Sequence, residues 1–238
     1  MFQQNACTIL SDLKLDNCGF CLGRSKSFSF LTKEELDRIE KSKVLVNFKK
    51  GETIFKQGTT ATHSVSFAKG LAKLHDDRPN GEIIVRFITP VELINGYGLL
   101  FNETHHYSVT ALTDATCCFI PVSIVAAVMD KNTAFRRLFI KDIQMYNFLI
   151  QDRLADLLSK RNPGRIAGSL IELSKNVYKS DKFHFDFSRK ELQSYCCVSQ
   201  DGLSKTLKQF EQAEIIKTKG RKIELLKPEI LEKIWQFG

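Results

Sequence analysis

The run Ser188-Arg189-Lys190-Glu191-Leu192-Gln193-Ser194-Tyr195-Cys196-Cys197-Val198-Ser199-Gln200-Asp201-Gly202-Leu203-Ser204-Lys205-Thr206-Leu207-Lys208-Gln209-Phe210 decides how the chain is read. Ser188 and Glu191 stand at capping-box spacing, in which hydroxyl and carboxylate satisfy the orphan amides of a helix start reciprocally. That short helix runs through Leu192 and Tyr195 and stops at Cys196-Cys197-Val198, where the two thiols are expected to pack as small hydrophobes. Ser199 then caps a second helix. Leu203, Leu207 and Phe210 recur at steps of four and three and mark its buried face, so Gln200, Asp201, Ser204, Lys205 and Lys208 fall on the outer one. Two short helices joined by a tight turn, the second polar and basic on its outer face, form a helix-turn-helix pattern whose second helix enters the major groove.

The outer face carries base-reading chemistry. Lys205 can donate to guanine O6 and N7, Asp201 can accept from cytosine N4, Gln200 can engage adenine N6 and N7, and Ser204 can touch either kind of edge. Gly202 costs about 1 kcal/mol against Ala inside a helix, which leads us to expect a backbone or phosphate close by. Taken singly each polar residue fits a solvated helix face; the capped two-helix context favours DNA contact. Two short β runs, Ile215 to Thr218 and Lys222 to Leu225, follow around Lys219-Gly220-Arg221, and this basic tip suits a wing lying along phosphates. The expected DNA-contacting set is therefore Ser188, Ser199, Gln200, Asp201, Ser204, Lys205, Lys208, Lys219 and Arg221.

Upstream, Asn162-Pro163 supplies an N-cap and a first-turn proline for a helix whose apolar face is Ile166, Leu170, Leu173 and Val177. Residues 161–238 hold 15 Lys and Arg against 10 Asp and Glu, so positive charge concentrates in the part read as DNA-binding. Before it lies a helix expected over residues 131–160, with Phe139, Ile143, Tyr146, Ile150, Leu154 and Leu157 forming a narrow seam. Such a seam packs either on the chain's own β module or in a parallel homodimer; we favour the homodimer.

Residues 28–130 have a different grammar. A capping box at Thr32 and Glu35 starts a short helix, and from Val44 to Pro121 short β runs recur at roughly ten-residue intervals between turn residues such as Asn80-Gly81. This is the spacing of an all-β roll. Residues 1–27 show no sustained period and read as a cysteine-containing arm. The least polar stretch, Ala115 to Met129, would span about 22 Å as a helix, too short for a bilayer core, and no secretory signal opens the chain. A cytoplasmic protein with reduced thiols is expected. Seven cysteines, an odd number, argue against a disulfide framework. A net charge of +8 over 238 residues suits a polyanionic partner without naming one.

Several stretches resemble the CRP/FNR superfamily of bacterial transcription regulators. They are Lys50-Gly51-Glu52-Thr53-Ile54-Phe55-Lys56-Gln57-Gly58, then Gly164-Arg165-Ile166-Ala167, and the helix-turn-helix from Ser188 through Lys205. The resemblance implies an α+β chain: an N-terminal cyclic-nucleotide-binding-like β-roll, a long dimerisation helix and a C-terminal winged helix-turn-helix. It further implies a homodimer on a pseudo-palindromic operator, with RNA polymerase as a protein partner. The family's base-reading acid corresponds to Asp201, where Glu is commoner, and its guanine-reading base to Lys205, where Arg is commoner.

The resemblance also frames the signal. The family's cyclic-nucleotide pocket corresponds to Asn95, Gly96 and Tyr97 together with Tyr107 and Ser108, and no guanidinium is present there for a cyclic phosphate. Cyclic AMP is thus disfavoured, while another small ligand stays open. The FNR branch resembles an oxygen sensor with an iron-sulfur cluster on four thiolates; here those would be Cys7, Cys18, Cys21 and Cys118, because the family's third N-terminal position falls on Ser27. Zinc on the same thiolates, or no metal at all, are the other readings. Haem, a further gas-sensing route of the superfamily, would use His63, His75, His105 or His106. No phosphate loop, H-E-x-x-H or nucleophile elbow is present, so the alternative, an enzyme or cofactor-storage protein built on such a roll, has no motif to support it.

Overall fold

The computed structural model describes residues 26–79, 81–94 and 104–238. The chain divides into two compact units, one of residues up to Asp77 plus Phe87–Asn147, the other of Arg78–Arg86 plus Phe148–Gly238.

The first unit opens with a 3-10 turn, Lys26–Phe30, and helix α1, Lys33–Ser42. The Thr32–Glu35 capping box forms as expected: the Glu35 amide donates to Thr32 Oγ1 and the Thr32 amide to Glu35 Oε2. Strands β1 (Val44–Phe48), β2 (Thr53–Phe55), β3 (His63–Lys69), β4 (Ala72–Arg78), β5 (Gly81–Ile88), β6 (Glu92–Ile94), β7 (Ser108–Ala111) and β8 (Ala115–Pro121) follow in the chain, with Arg78 and the part of β5 up to Arg86 counted in the second unit. They make two four-stranded sheets, ordered β1-β8-β3-β6 and β2-β7-β4-β5. Strand β6 was not among the expected strands. Gly70 allows the tight turn between β3 and β4: its φ is +101°, and a Cβ there would lie 2.6 Å from the Asp114 carbonyl oxygen.

Helices α2 (Val122–Lys131) and α3 (Thr133–Ser159) replace the single start expected at residue 131. Asn132 separates them with φ −105° and ψ 94°, and its Oδ1 accepts from the Phe135 amide to begin α3. Its amide nitrogen also donates to the Phe30 carbonyl and to Glu35. Around this junction Phe28, Ile39, Ile120, Val128, Phe135 and Phe139 close a common core.

The expected seam of α3 is corrected. Phe139 is buried in its own unit's core, Ile143 packs on the same cluster, and the Tyr146 hydroxyl donates to Glu92. Those residues face their own chain. A different set on α3, Ile140, Met145, Phe148, Leu149, Leu154 and Leu158, is exposed, with only Leu154 common to both.

In the second unit α4 spans Asn162–Glu172, capped by Arg161 rather than Asn162, so Pro163 takes the second helical position. A π-helix, Leu173–Tyr178, continues it and rotates the apolar stripe, which leaves Leu173 buried and Val177 half-buried. Strand β9 (Lys182–His184), helices α5 (Arg189–Cys196) and α6 (Gln200–Gln212), strands β10 (Ile216–Lys219) and β11 (Lys222–Leu225), and α7 (Pro228–Phe237) complete it. The sheet order is β10-β11-β9, so the expected hairpin gains a third strand through β9. Trp235 of α7 packs on α4, where a Cβ on Gly168 would lie 2.7 Å from the indole, and its Nε1–H donates to Asp156 of α3 at 2.7 Å.

Candidate nucleic-acid interface

Helix α5 starts at the second capping box, with the Glu191 amide donating to Ser188 Oγ and the Ser188 amide to Glu191 Oε2. Leu192, Tyr195 and Cys196 point inward. Cys197 ends the helix in the left-handed conformation at φ +50°, which turns the chain sharply enough for α6 to begin at Ser199. Burial holds the Cys196 thiol protonated, pushing it up to about 12, so this thiol is a core group as expected; Cys197 is half-buried.

Ser199 caps α6 by accepting from the Gly202 amide at 3.1 Å. Leu203, Thr206, Leu207 and Phe210 are buried, while Gln200, Asp201, Ser204, Lys205 and Lys208 are all exposed. Five side chains able to meet bases or phosphates thus share one face of a single helix. Ser188 and Ser199 sit at the helix starts with their hydroxyls bonded to their own backbones.

The reason for Gly202 lies elsewhere than expected. A Cβ there would stand 2.5 Å from Asn162 Nδ2 and 3.0 Å from Ser199 Oγ, so the glycine makes room for the start of α4 inside the protein rather than for a phosphate.

The wing is a β10–β11 hairpin in register Lys219 to Lys222, turned by Gly220 at φ +63°, with Lys219 and Arg221 exposed at its tip. Glu211 of α6 accepts from both the amide and the hydroxyl of Thr218, which fixes the wing to the recognition helix. Sequence reasoning missed this tie and two arginines. Arg165 donates to the carbonyls of Lys160 and Cys197, bracing the turn between α5 and α6. Arg153, from α3, lies over the Tyr195 ring and bonds the Tyr195 carbonyl and Glu172. Arg165 stood within the Gly164-Arg165-Ile166-Ala167 match; Arg153, one of several charged residues on α3, carried no local signal.

In the first unit, Ser108 donates to Asp77 at 2.7 Å and accepts from the Gln57 amide at 3.0 Å. The Ser108 hydrogen bond is the largest influence holding the Asp77 carboxyl below its usual range, with His75 adding to it. His75 bonds Asp77 through Nδ1 and Thr110 through Nε2, both at 2.9 Å. Tyr107 is half-buried; Asn95, Gly96 and Tyr97 lie outside the described residues, as do Cys7, Cys18 and Cys21. Cys118 is buried on β8, opposite Leu45 and Ser66. His63 bonds Thr62, and His105 stacks on Phe55 at 4.1 Å with its Nδ1 unpartnered among the described residues. Burial lowers the pKa of His105.

Two family descriptions match this chain: a cyclic nucleotide-binding domain over residues 45–132 and a Crp-like helix-turn-helix domain over residues 164–234. The chain belongs to the CRP/FNR superfamily. Its membership sets aside the enzyme alternative and makes it a DNA-binding transcription regulator. Among CRP/FNR relatives, it is 27% identical over 186 residues to the transcriptional activator protein Anr of Pseudomonas protegens, covering 76% of this chain and 75% of that one. It is 26% identical over 207 residues to the fumarate and nitrate reduction regulatory protein of Vibrio cholerae, covering 82% and 80%. The structure of FixK2 from Bradyrhizobium japonicum shares the fold with a TM-score of 0.73 at 18% identity, covering 81% of this chain and 96% of that one. No helix among the described residues is long and apolar enough to cross a membrane.

Proposed function

We propose that this regulator works in the cytoplasm as a homodimer, with two copies of α6 reading the half-sites of a pseudo-palindromic operator and RNA polymerase as its protein partner. The observation that carries the reading is the exposed face of α6, where Gln200, Asp201, Ser204, Lys205 and Lys208 converge above a buried Leu203, Leu207 and Phe210. Lys219 and Arg221 at the wing tip supply phosphate contacts, which fix register without reading sequence. Dimerisation is assigned to the exposed apolar residues of α3, which a second copy of the same helix would cover.

Selection of operators from a random duplex library, followed by gel-shift titration at several salt concentrations, tests the reading. A palindromic consensus with a steep fall of log K against log salt is expected; saturable binding to no sequence in preference to another would refute it.

The sensory input is assigned to the first unit. A cyclic phosphate is disfavoured there, since Ser108 is engaged with Asp77 and a second anion would face that carboxylate. The cysteine set, Cys7, Cys18, Cys21 and Cys118, is the group proposed for an iron-sulfur cluster. Anaerobic purification with absorption spectroscopy and metal analysis decides it: visible charge-transfer bands with iron and sulfide support the cluster, zinc alone replaces it, and a colourless, metal-free dimer that binds its operator removes both as requirements for binding.

A further inference from the structure

The three-stranded sheet of the second unit has a buried face and an open one, and its register sorts the open face into two rows. Strands β10 and β11 set Lys217 opposite Glu224 and Lys219 opposite Lys222; β11 and β9 set Glu224 opposite Lys182 and Lys222 opposite His184. Residues directly opposite in antiparallel strands share a face. Lys217, Glu224 and Lys182 therefore form one row, and Lys219, Lys222 and His184 the next. Ile216, Ile223 and Phe183 alternate with them and are buried on the other side. Both rows are exposed, save for a half-buried Glu224.

The rows are built differently. In the first, a carboxylate stands between two ammonium groups, and Lys182 Nζ lies 3.0 Å from Glu224 Oε2. The second has no acid in it, and among the described residues none of its side chains is ion-paired. Like charges facing one another across a sheet destabilise it, and a polyanion laid over the row would turn that repulsion into attraction. With strands about 4.8 Å apart, the row runs for about 10 Å away from β10.

Both ends of this row are fixed inside the DNA module. Glu211, in the last turn of α6, accepts from Thr218 of β10, the residue beside Lys219. The Phe185 amide, beside His184, donates to the Arg221 carbonyl at 2.9 Å and ties β9 to the tip. Bases are read from the first turns of such a helix, and Gln200 and Glu211 are about 16 Å apart along α6. The row thus suits backbone rather than base edges.

We propose that the row is a phosphate track: Lys222 of β11 and His184 of β9 continue the contact begun by Lys219 at the tip and hold the DNA backbone beside the bases that α6 reads. The inference rests on α6 being the DNA-reading helix. Lys222 neutralises a phosphate, His184 donates to one through a ring N–H, and Glu224 keeps Lys182 out of the contact by pairing with it.

Fluorescence anisotropy with the full chain, titrated at several salt concentrations on a selected operator and on an unrelated duplex, tests the track. Lys222→Ala should flatten the log K against log salt slope by about 1 per wing on both duplexes and weaken binding at 0.1 M salt by about tenfold or more. Lys222→Arg should keep the slope, which a loss of fold would not allow. His184→Ala should weaken both duplexes, by less than Lys222→Ala does. Lys182→Ala, one row away, should leave affinity and slope as they are, whereas Glu224→Gln should tighten binding to both duplexes by freeing Lys182. An unchanged slope in Lys222→Ala overturns the proposal, and so does a loss in Lys182→Ala as large as that in Lys222→Ala, since bulk charge would then explain both. A wild type with neither operator preference nor salt dependence fails the DNA reading itself, and is told apart from a wild type that has both and keeps them in Lys222→Ala.

Discussion

The guanidinium carbon of Arg153 lies 3.9 Å from the centre of the Tyr195 ring. The same side chain bonds the Tyr195 carbonyl and Glu172, so one residue of α3 joins α4 to the first helix of the DNA module. Tyr195 is buried, and Arg153 is 17% exposed, which keeps water from competing for these contacts.

Arg153→Ala should therefore lower unfolding stability by about 2–3 kcal/mol, the loss of a partly desolvated cation–π contact together with charge-assisted hydrogen bonds. Arg153→Lys should recover less than half, because an ammonium cannot stack flat and bond two acceptors at once. Urea titration followed by far-UV circular dichroism measures both.

Lys205 and Lys219 should separate base reading from phosphate holding. Lys205→Ala should cost about 1–3 kcal/mol on the selected operator and relax preference at one base pair per half-site. Lys219→Ala should weaken all duplexes alike and flatten the log K against log salt slope by about 1 per wing. Equal effects of the two variants on every duplex would contradict the assignment.

Phe148 and Leu158 are 62% and 78% exposed on α3. Phe148→Glu and Leu158→Glu should yield monomers by light scattering while shifting monomer stability by less than about 0.5 kcal/mol, since neither contributes to its own chain's core. Operator affinity should fall steeply in both, and a variant that remains dimeric would move the interface elsewhere.

Burial pushes the Cys117 and Cys196 thiols up to about 12. Their protons are held more tightly folded than unfolded, so the associated stability is intact below the ordinary thiol range and is lost as pH rises through it toward about 12. The Asp77 carboxyl acts oppositely: held low by Ser108, it stabilises at neutral pH and ceases to do so as pH falls through its folded value. Thermal melts across pH should show both limbs. Iodoacetamide labelling of the native protein should reach half-buried Cys197 well before Cys117 or Cys196.

Gly70→Ala should destabilise by more than about 2 kcal/mol, since the added methyl meets the Asp114 carbonyl in addition to the unfavourable φ. Gly51→Ala, at φ +89° but facing open space, should cost only about 1 kcal/mol. A thermal-melt comparison checks the pair.

The two capping boxes and the Ser199 cap were legible in the sequence because each depends on residues three apart, whereas the cap expected at Asn162 had no such partner and shifted to Arg161. Thr32 with Glu35, and Ser188 with Glu191, mark their helices without reference to the rest of the fold. The outer face of α6 was legible for the same reason, since helical period alone assigns Lys205 and Leu203 to opposite sides. What escaped was tertiary. Phe139 and Ile143 fit an intermolecular seam by their period, and only the fold, which sets Phe135 and the rest of a core cluster against them, turns them into their own unit. Gly202 reads in sequence as room for a close backbone or phosphate, and only the fold places the Asn162 side chain beside it.

Trp235 is the single tryptophan of the chain, hydrogen-bonded to Asp156 and packed on Gly168. Its fluorescence is thus an unlabelled gauge of whether the long helix, α4 and α7 stay docked. A red shift in emission on adding effector or operator would report that these three elements have parted, without a dye or a mutation to disturb them.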